Sequence, residues 1–134
     1  MDRTNTVIAF VCQSEKRKKL IASIQKKHPS IRFIPIICIG KMNPAVVFRL
    51  LLKETRGVIL IGCEPSDCHY REGAFFAERR FYLLKETLKG FGLDENLLHI
   101  IWSNPKKHLR VIKSVDSFMD YLQKSVLEKG GNHS

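Results

Sequence analysis

Four short apolar runs, each followed by a segment with helical periodicity, place the strongest constraint on the fold of this chain. The runs are almost continuously apolar, which is typical of strands in a parallel sheet covered on both faces. They are VIAFVC (7–12), IRFIPIICI (31–39), GVILIGC (57–63) and LLHIIW (97–102). Strand and helix therefore alternate four times. This alternation predicts an α/β fold: a single three-layer domain with a four-stranded parallel sheet and helices on both faces.

The segments after the runs predict four helices. After the first run, Leu20, Ile21 and Ile24 share one helix face, and after the second, Asn43 followed by Pro44 is typical of a helix start. The third stripe is Ala77, Phe81, Leu84, Leu88 and Phe91, with Gly92 as the stop. The fourth stripe is Val111, Val115, Phe118, Leu122 and Val126.

Pro35 lies inside the second run and helps to order the strands. Proline is tolerated mainly on edge strands, and the strand order 2-1-3-4 puts the second strand at an edge. We expect the domain to cover residues 7–127 and residues 128–134 to form a flexible tail.

Composition limits the classes of partner and the compartment. The 134 residues carry a formal net charge of +10, which favours an acidic protein surface, an anionic cofactor or nucleic acid. Nucleic acid is the less favoured partner, because the basic runs 15–19 and 106–108 have no interleaved aromatic residues.

No apolar run reaches the ~18 residues of a membrane helix, and 7–12 is too short for a secretory core. We therefore expect a cytoplasmic protein without membrane contact, in which a disulfide framework is a poor explanation for the cysteines.

All four cysteines fall at or near strand ends: Cys12, Cys38, Cys63 and Cys68. The carboxyl ends of parallel strands meet at one edge of a sheet, where ligands bind near the switch point. We therefore expect the four thiols to converge on one crevice. The alternative is that they are ordinary buried cysteines at half-buried strand ends.

Four converging thiolates favour either structural zinc or an iron–sulfur cluster. Zinc sites usually use two close pairs of cysteines, whereas here only Cys63 and Cys68 form a close pair, as C-x4-C. A C-x4-C loop also occurs in plant-type iron–sulfur proteins, which favours a cluster. A phosphatase loop starting at Cys12 is disfavoured, because its arginine position is occupied by Lys18. No acid–base or nucleophile–base pair is identifiable, so we predict no independent catalytic activity.

The segments GVILIGCEPSDCHYREG, AERRFYLLKETLKGFGL and IIWSN together resemble the delta subunit of methyl-viologen-reducing hydrogenase. The resemblance implies a 2Fe-2S protein that relays electrons from a hydrogenase or formate dehydrogenase module to the flavoprotein subunit of a heterodisulfide reductase. It also implies that Cys12, Cys38, Cys63 and Cys68 are the cluster ligands. The chain departs from the family pattern at four positions: Glu15 replaces a cysteine, Lys41 an arginine, Ser66 a glycine and Ala74 an asparagine.

The sequence is compatible with two functions. The first is an electron-transfer subunit with a four-cysteine cluster. The second is a cluster-free or zinc-stabilised adaptor that assembles an electron-transfer complex through its basic surface. Glu15 is not expected to be a ligand, because a carboxylate suits an iron–sulfur cluster poorly. Lys16, Arg17, Lys106 and Lys107 follow the first and fourth strands, so we expect them to rim the cysteine end and to steer an acidic partner.

Overall fold

The structure is a computed structural model that describes residues 6–12, 18–36, 39, 42–63, 73–103 and 105–132. Its strands are β1 (Val7–Cys12), β2 (Ile31–Ile36), β3 (Gly57–Cys63) and β4 (Leu98–Ser103). Its α-helices are α1 (Lys18–Lys27), α2 (Pro44–Arg49), α3 (Gly73–Gly90) and α4 (His108–Asn132). A π-helical turn, Leu50–Glu54, directly follows α2, and 3-10 turns at Glu95–Leu97 and Pro105–Lys107 precede β4 and α4.

The four strands form one parallel sheet in the order β2-β1-β3-β4, as the sequence predicts. In the central register, Val11 of β1 lies between Pro35 of β2 and Ile61 of β3. Pro35 is thus on the edge strand, where its missing N–H does not interrupt the sheet. The predicted bounds of β1 and β3 are confirmed. β4 begins one residue later than predicted, because Leu97 ends the preceding 3-10 turn.

Helices cover both faces of the sheet, and two glycines of β3 identify which helices lie on which face. A Cβ added at Gly57 would meet Phe118 and Leu122 of α4, whereas one added at Gly62 would meet Ile39, which precedes α2. Residues 57 and 62 are five positions apart in one strand. Successive residues of a strand point to opposite faces, so these two positions face opposite sides of the sheet. Since α1 packs with α4 and α2 with α3, each face is covered by one helix pair. The predicted α/β architecture with helices on both faces is confirmed.

Most of the residues predicted on the apolar helix faces are buried in the structure. Asn43 caps α2, its Oδ1 accepting the N–H of Ala45 at 2.9 Å. The buried positions predicted on α3 and α4 are Phe81, Leu84, Leu88, Val111, Val115, Phe118 and Leu122. The side chains of Ala77 and Val126 lie outside the described part of the chain.

Phe91 corrects the predicted stripe of α3. It lies beyond the last helical residue and is 68% exposed, with its ring edge-on to Phe48 at a centroid distance of 5.3 Å. The helix stops first because Gly92 adopts φ +76°, and the N–H of Leu93 then bonds back to the Leu88 carbonyl at 2.9 Å. Gly92 thus ends the helix as predicted, and Phe91 leaves the buried stripe as a consequence.

At its far end, α4 continues to Asn132 and so enters the segment for which the sequence predicts a flexible tail. The flexibility of that segment stays a prediction. Among the helices of the described residues, none combines the length and hydropathy that crossing a bilayer requires.

Candidate functional site

Cys12, the last residue of β1, is the cysteine whose surroundings the structure describes most fully. Its side chain is 4% exposed, and its Sγ accepts the backbone N–H of Ile39 at 3.3 Å. Ile39 directly follows Cys38 in the sequence. Ile39, the residue after the second predicted ligand in the sequence, therefore lies beside the first predicted ligand at the end of β1.

Ile39 is held in this place by a glycine of β3. It is 1% exposed, and a Cβ built on Gly62 would lie 2.4 Å from its Cδ1 and 2.9 Å from its Cγ1. Trp102 of β4 closes the other side of the same glycine, at 3.2 Å from that Cβ. Only a residue without a side chain leaves space for Ile39 above β3, which gives a physical reason for the glycine before Cys63. Sequence reasoning missed both Ile39 and Gly62 because neither is a chemically reactive residue.

Cys63 ends β3, in register with Ser103 at the end of β4. β1 and β3 are neighbours, and the chain moves from β1 outward to β2 before it crosses back to β3. Their carboxyl ends therefore mark the switch point, where open α/β sheets bind ligands. The backbone positions of Cys12 and Cys63 at adjacent strand ends agree with the sequence prediction.

Cys38, Cys68 and Glu15 lie outside the described residues, as does the side chain of Cys63. Within the described part, no three His, Cys, Asp or Glu side chains are grouped so that they could hold a metal ion. The side chains of three of the four predicted ligands lie outside that part, so the four-cysteine site stays a prediction.

The surroundings of Cys12 fit a thiolate ligand. A backbone N–H that points at sulfur favours the negatively charged form of the thiol, and hydrogen bonds to sulfur tune iron–sulfur centres. Burial alone has the opposite effect on a thiol that binds no metal, because it disfavours the charged form. The N–H of Ile39 and a bound cation would together offset that cost.

Basic and polar groups follow β4 at the same end of the sheet. Lys106 and Lys107 are exposed in the 3-10 turn just before α4, as the predicted basic rim requires. Lys16 and Arg17, the other half of that rim, lie outside the described residues. His108 begins α4, and its Nε2 is buried without a hydrogen-bond partner among the residues that the structure describes.

Another histidine, His99, lies near the start of β4, away from this end. Its Nε2 is 2.9 Å from the Ser114 hydroxyl, and its ring stacks on Phe118 at a centroid distance of 5.1 Å. Burial, with a smaller effect from the Lys85 charge, lowers the pKa of His99 below its usual 6.5. We therefore interpret His99 as a neutral residue of the interface between β4 and α4.

Comparisons with known proteins identify relatives of two kinds. An iron–sulfur subunit of the F420-non-reducing hydrogenase of Archaeoglobus profundus is 30% identical over 90 residues, covering 67% of this chain and 66% of that protein. A subunit of the ferredoxin/F(420)H(2)-dependent CoB-CoM heterodisulfide reductase of Methanosarcina acetivorans is 31% identical over 120 residues, or 87% of this chain. The corresponding subunit of the ferredoxin:CoB-CoM heterodisulfide reductase of Methanosarcina mazei is 32% identical over 120 residues, again 87% of this chain.

The lengths of these matches differ greatly. The chain spans 15% of the length of each of the two heterodisulfide reductase relatives and just under two thirds of the Archaeoglobus hydrogenase relative. The family described as "Methyl-viologen-reducing hydrogenase, delta subunit" matches residues 7–125, almost the whole described fold. The chain therefore belongs to the methyl-viologen-reducing hydrogenase delta subunit family.

Proposed function

We propose that this protein is an electron-transfer subunit that binds one 2Fe-2S cluster through Cys12, Cys38, Cys63 and Cys68. It relays electrons in the cytoplasm between a hydrogenase or formate dehydrogenase module and a flavoprotein of the heterodisulfide reductase type. When bound, the cluster supplies one-electron redox chemistry. The chain itself holds the cluster, excludes water from part of it and presents it to its partners.

The observation that carries the proposal is the hydrogen bond from the Ile39 N–H to the Cys12 sulfur, at 3.3 Å. A core cysteine needs no such donor, because a neutral thiol is a weak acceptor and packs as a small apolar group. A thiolate ligand does benefit from one. The donor also belongs to the residue that follows Cys38, so the bond relates two of the proposed ligands.

The proposed partners rest on the names of the relatives. One group consists of hydrogenase iron–sulfur subunits, and in the other the matched segment is part of a much longer heterodisulfide reductase polypeptide. A formal net charge of +10 favours an acidic surface on whichever protein binds this one.

The alternative function is a cluster-free or zinc-stabilised adaptor, and the burial of Cys12 favours it. A side chain that is 4% exposed at the end of a core strand is also what an ordinary structural cysteine looks like. In that case the basic surface alone would mediate assembly.

Metal analysis of anaerobically purified protein separates these functions. We expect about two iron atoms and two acid-labile sulfides per chain, with the visible absorption and electron paramagnetic resonance of a 2Fe-2S centre. Replacing any one of the four cysteines by serine should remove most of the iron, whereas Glu15→Ala should leave it unchanged.

Three outcomes would contradict the proposal. About one zinc per chain without iron would establish the zinc-stabilised adaptor, and the absence of both metals would establish the cluster-free one. Iron that survives Cys12→Ser would show that the ligand set is wrong.

A further inference from the structure

A groove of about 310 Å³ separates α2 from α3 on the surface of the domain. It is lined by Pro44, Ala45 and Phe48 from α2 and by Arg80, Leu83, Leu84 and Thr87 from α3. The α3 residues follow the three- and four-residue spacing of one helix face. The walls are thus almost entirely apolar, with Arg80 as the charged exception.

Large apolar side chains along these two helices are exposed to an unusual degree. Leu83 is 65% exposed although it lines the groove, and Val46 of α2 is 46% exposed. Phe91, just beyond α3, is 68% exposed and contacts Phe48 of the groove wall edge-on. Exposed apolar side chains in and beside a groove are typical of a site that another molecule covers.

One end of the groove lies close to the candidate cofactor site. Arg80 donates from Nη1 to the carbonyl of Met42 at 3.4 Å, which ties α3 to the segment before α2. The N–H of Met42 in turn bonds to the carbonyl of Ile39, whose own N–H contacts the Cys12 sulfur. A molecule in the groove would therefore lie near the end of β1 that carries Cys12.

We propose that the α2–α3 groove binds an amphipathic helix of the partner protein, with an apolar ridge flanked by carboxylates. The apolar walls select the ridge, and a groove between two helices accepts a third through side chains spaced by three and four residues. Arg80 in the groove wall and the net charge of +10 select the carboxylates.

The longer relatives indicate which polypeptide supplies that helix. In the two heterodisulfide reductase relatives, the segment matching this chain makes up 15% of the protein, so the equivalent domain is joined covalently to the rest of it. We assign the helix to the part of such a polypeptide that lies outside the matched segment. This inference rests on the proposed function, because it takes its partner class from there.

The test compares two neighbouring residues of α3 with matched exposure. Leu83→Glu places a carboxylate in the groove, while Tyr82→Glu places one on an adjacent residue that is 67% exposed and does not line the groove. Biolayer interferometry measures binding of the cluster-loaded protein to the purified flavoprotein of heterodisulfide reductase from the same organism. We expect Leu83→Glu to weaken binding at least about tenfold and Tyr82→Glu to change it by less than about threefold.

Iron content and light scattering distinguish the ways in which the inference can fail. Iron content should be the same in both variants, since neither residue lies at the proposed ligands. If the wild type binds but both variants bind equally well, the groove is not the docking site. If the wild type does not bind at all, the partner assigned under the proposed function is wrong, and this inference falls with it. If the wild type is a dimer that Leu83→Glu dissociates, a second copy of the chain fills the groove and the proposal is overturned.

Discussion

At the scale of single residues, three residues that carry no reactive group organise the end of β1. Gly62 leaves the space, Ile39 fills it, and Trp102 limits it from β4. The result is a fixed position for the Ile39 N–H, which points at the Cys12 sulfur. The chemistry proposed for the cysteine thus depends on packing that is set by an apolar residue and a glycine.

Gly62→Ala tests this packing. The added methyl group would lie 2.4 Å from the Ile39 Cδ1, so Ile39 must move, and overpacking of this kind costs about 1–3 kcal/mol of unfolding free energy. Urea unfolding measures the loss. Gly90→Ala is the control, because a Cβ there meets nothing within 4 Å, and it should not destabilise the protein. Adding Ile39→Val to Gly62→Ala should restore part of the loss. Equal stability of the two alanine variants would contradict the packing argument.

His99 gives the protein a pH dependence that can be assigned to one residue. Its pKa is lowered in the folded state, first by burial and then by Lys85, so the unfolded chain binds a proton more readily. Its stabilising contribution is therefore complete above the unfolded pKa near 6.5 and is lost as the pH falls toward the lower folded value.

We expect the urea midpoint of the wild type to fall as the pH is lowered through this window. His99→Gln should make the curve flatter there while it lowers stability at neutral pH, because the stacking on Phe118 is lost. A wild-type midpoint that stays constant or rises toward acid pH would show that His99 does not control this window.

At the scale of elements, the end of α3 decides which apolar residues are buried. The N–H of Gly92 bonds to the Lys89 carbonyl and that of Leu93 to the Leu88 carbonyl, which together form a Schellman cap. Leu88 remains in the core, while Phe91 is turned out onto the groove side. The helix cap and the exposed aromatic residue are consequences of one backbone conformation.

Gly92→Ala should therefore weaken the fold. An alanine at φ +76° carries a Cβ in the left-handed region, which costs about 1–2 kcal/mol. Thermal unfolding followed by circular dichroism measures the change, and Gly90→Ala, inside the same helix, is again the comparison. Finding that Gly92→Ala is as stable as Gly90→Ala would mean that the chain ends α3 in another way in solution.

At the scale of the whole molecule, lysines lie at both ends of the sheet, and only the carboxyl end of the strands is the candidate binding end. Lys106 and Lys107 lie after β4 at that end, whereas Lys26 lies in the last turn of α1, and Lys124 lies far along α4. Because α1 and α4 run back across the sheet, these two lysines belong to the opposite end. The distribution allows a test in which the change in net charge is held constant.

Reversing Lys106 and Lys107 to glutamate should slow association with the partner protein, as should reversing the predicted rim residues Lys16 and Arg17. Charge steering acts mainly on the association rate, and it weakens with salt because screening sets in within ~10 Å at 0.1 M. Stopped-flow electron transfer across a salt series measures this rate. The double variant of Lys26 and Lys124 changes net charge equally and should have a much smaller effect. Equal effects of the two double variants would show that net charge alone matters and would exclude a steering rim.

The four strands, the four helices and the order of the strands were predictable from the sequence, although β2 ends at Ile36 and not at the predicted residue 39. Continuous apolar runs predict buried parallel strands, Pro35 favours an edge, Asn43 with Pro44 starts α2, and Gly92 stops α3. These features are local, since each depends on the dihedral angles or hydrogen bonds of a few neighbouring residues. The family resemblance was likewise readable from motifs and is confirmed by the match over residues 7–125.

Which residues pack together at the proposed site depends on contacts between segments that are distant in the sequence. Ile39 and Gly62 are 23 positions apart in the sequence, and no local pattern predicts that one fills the space left by the other. Nor does periodicity predict that Phe91 is exposed against Phe48 while Leu88 is buried. Such contacts depend on how the sheet brings distant segments together, and burial is a property of the assembled core. The convergence of all four cysteines is of the same kind, so it stays a prediction that the metal analysis tests.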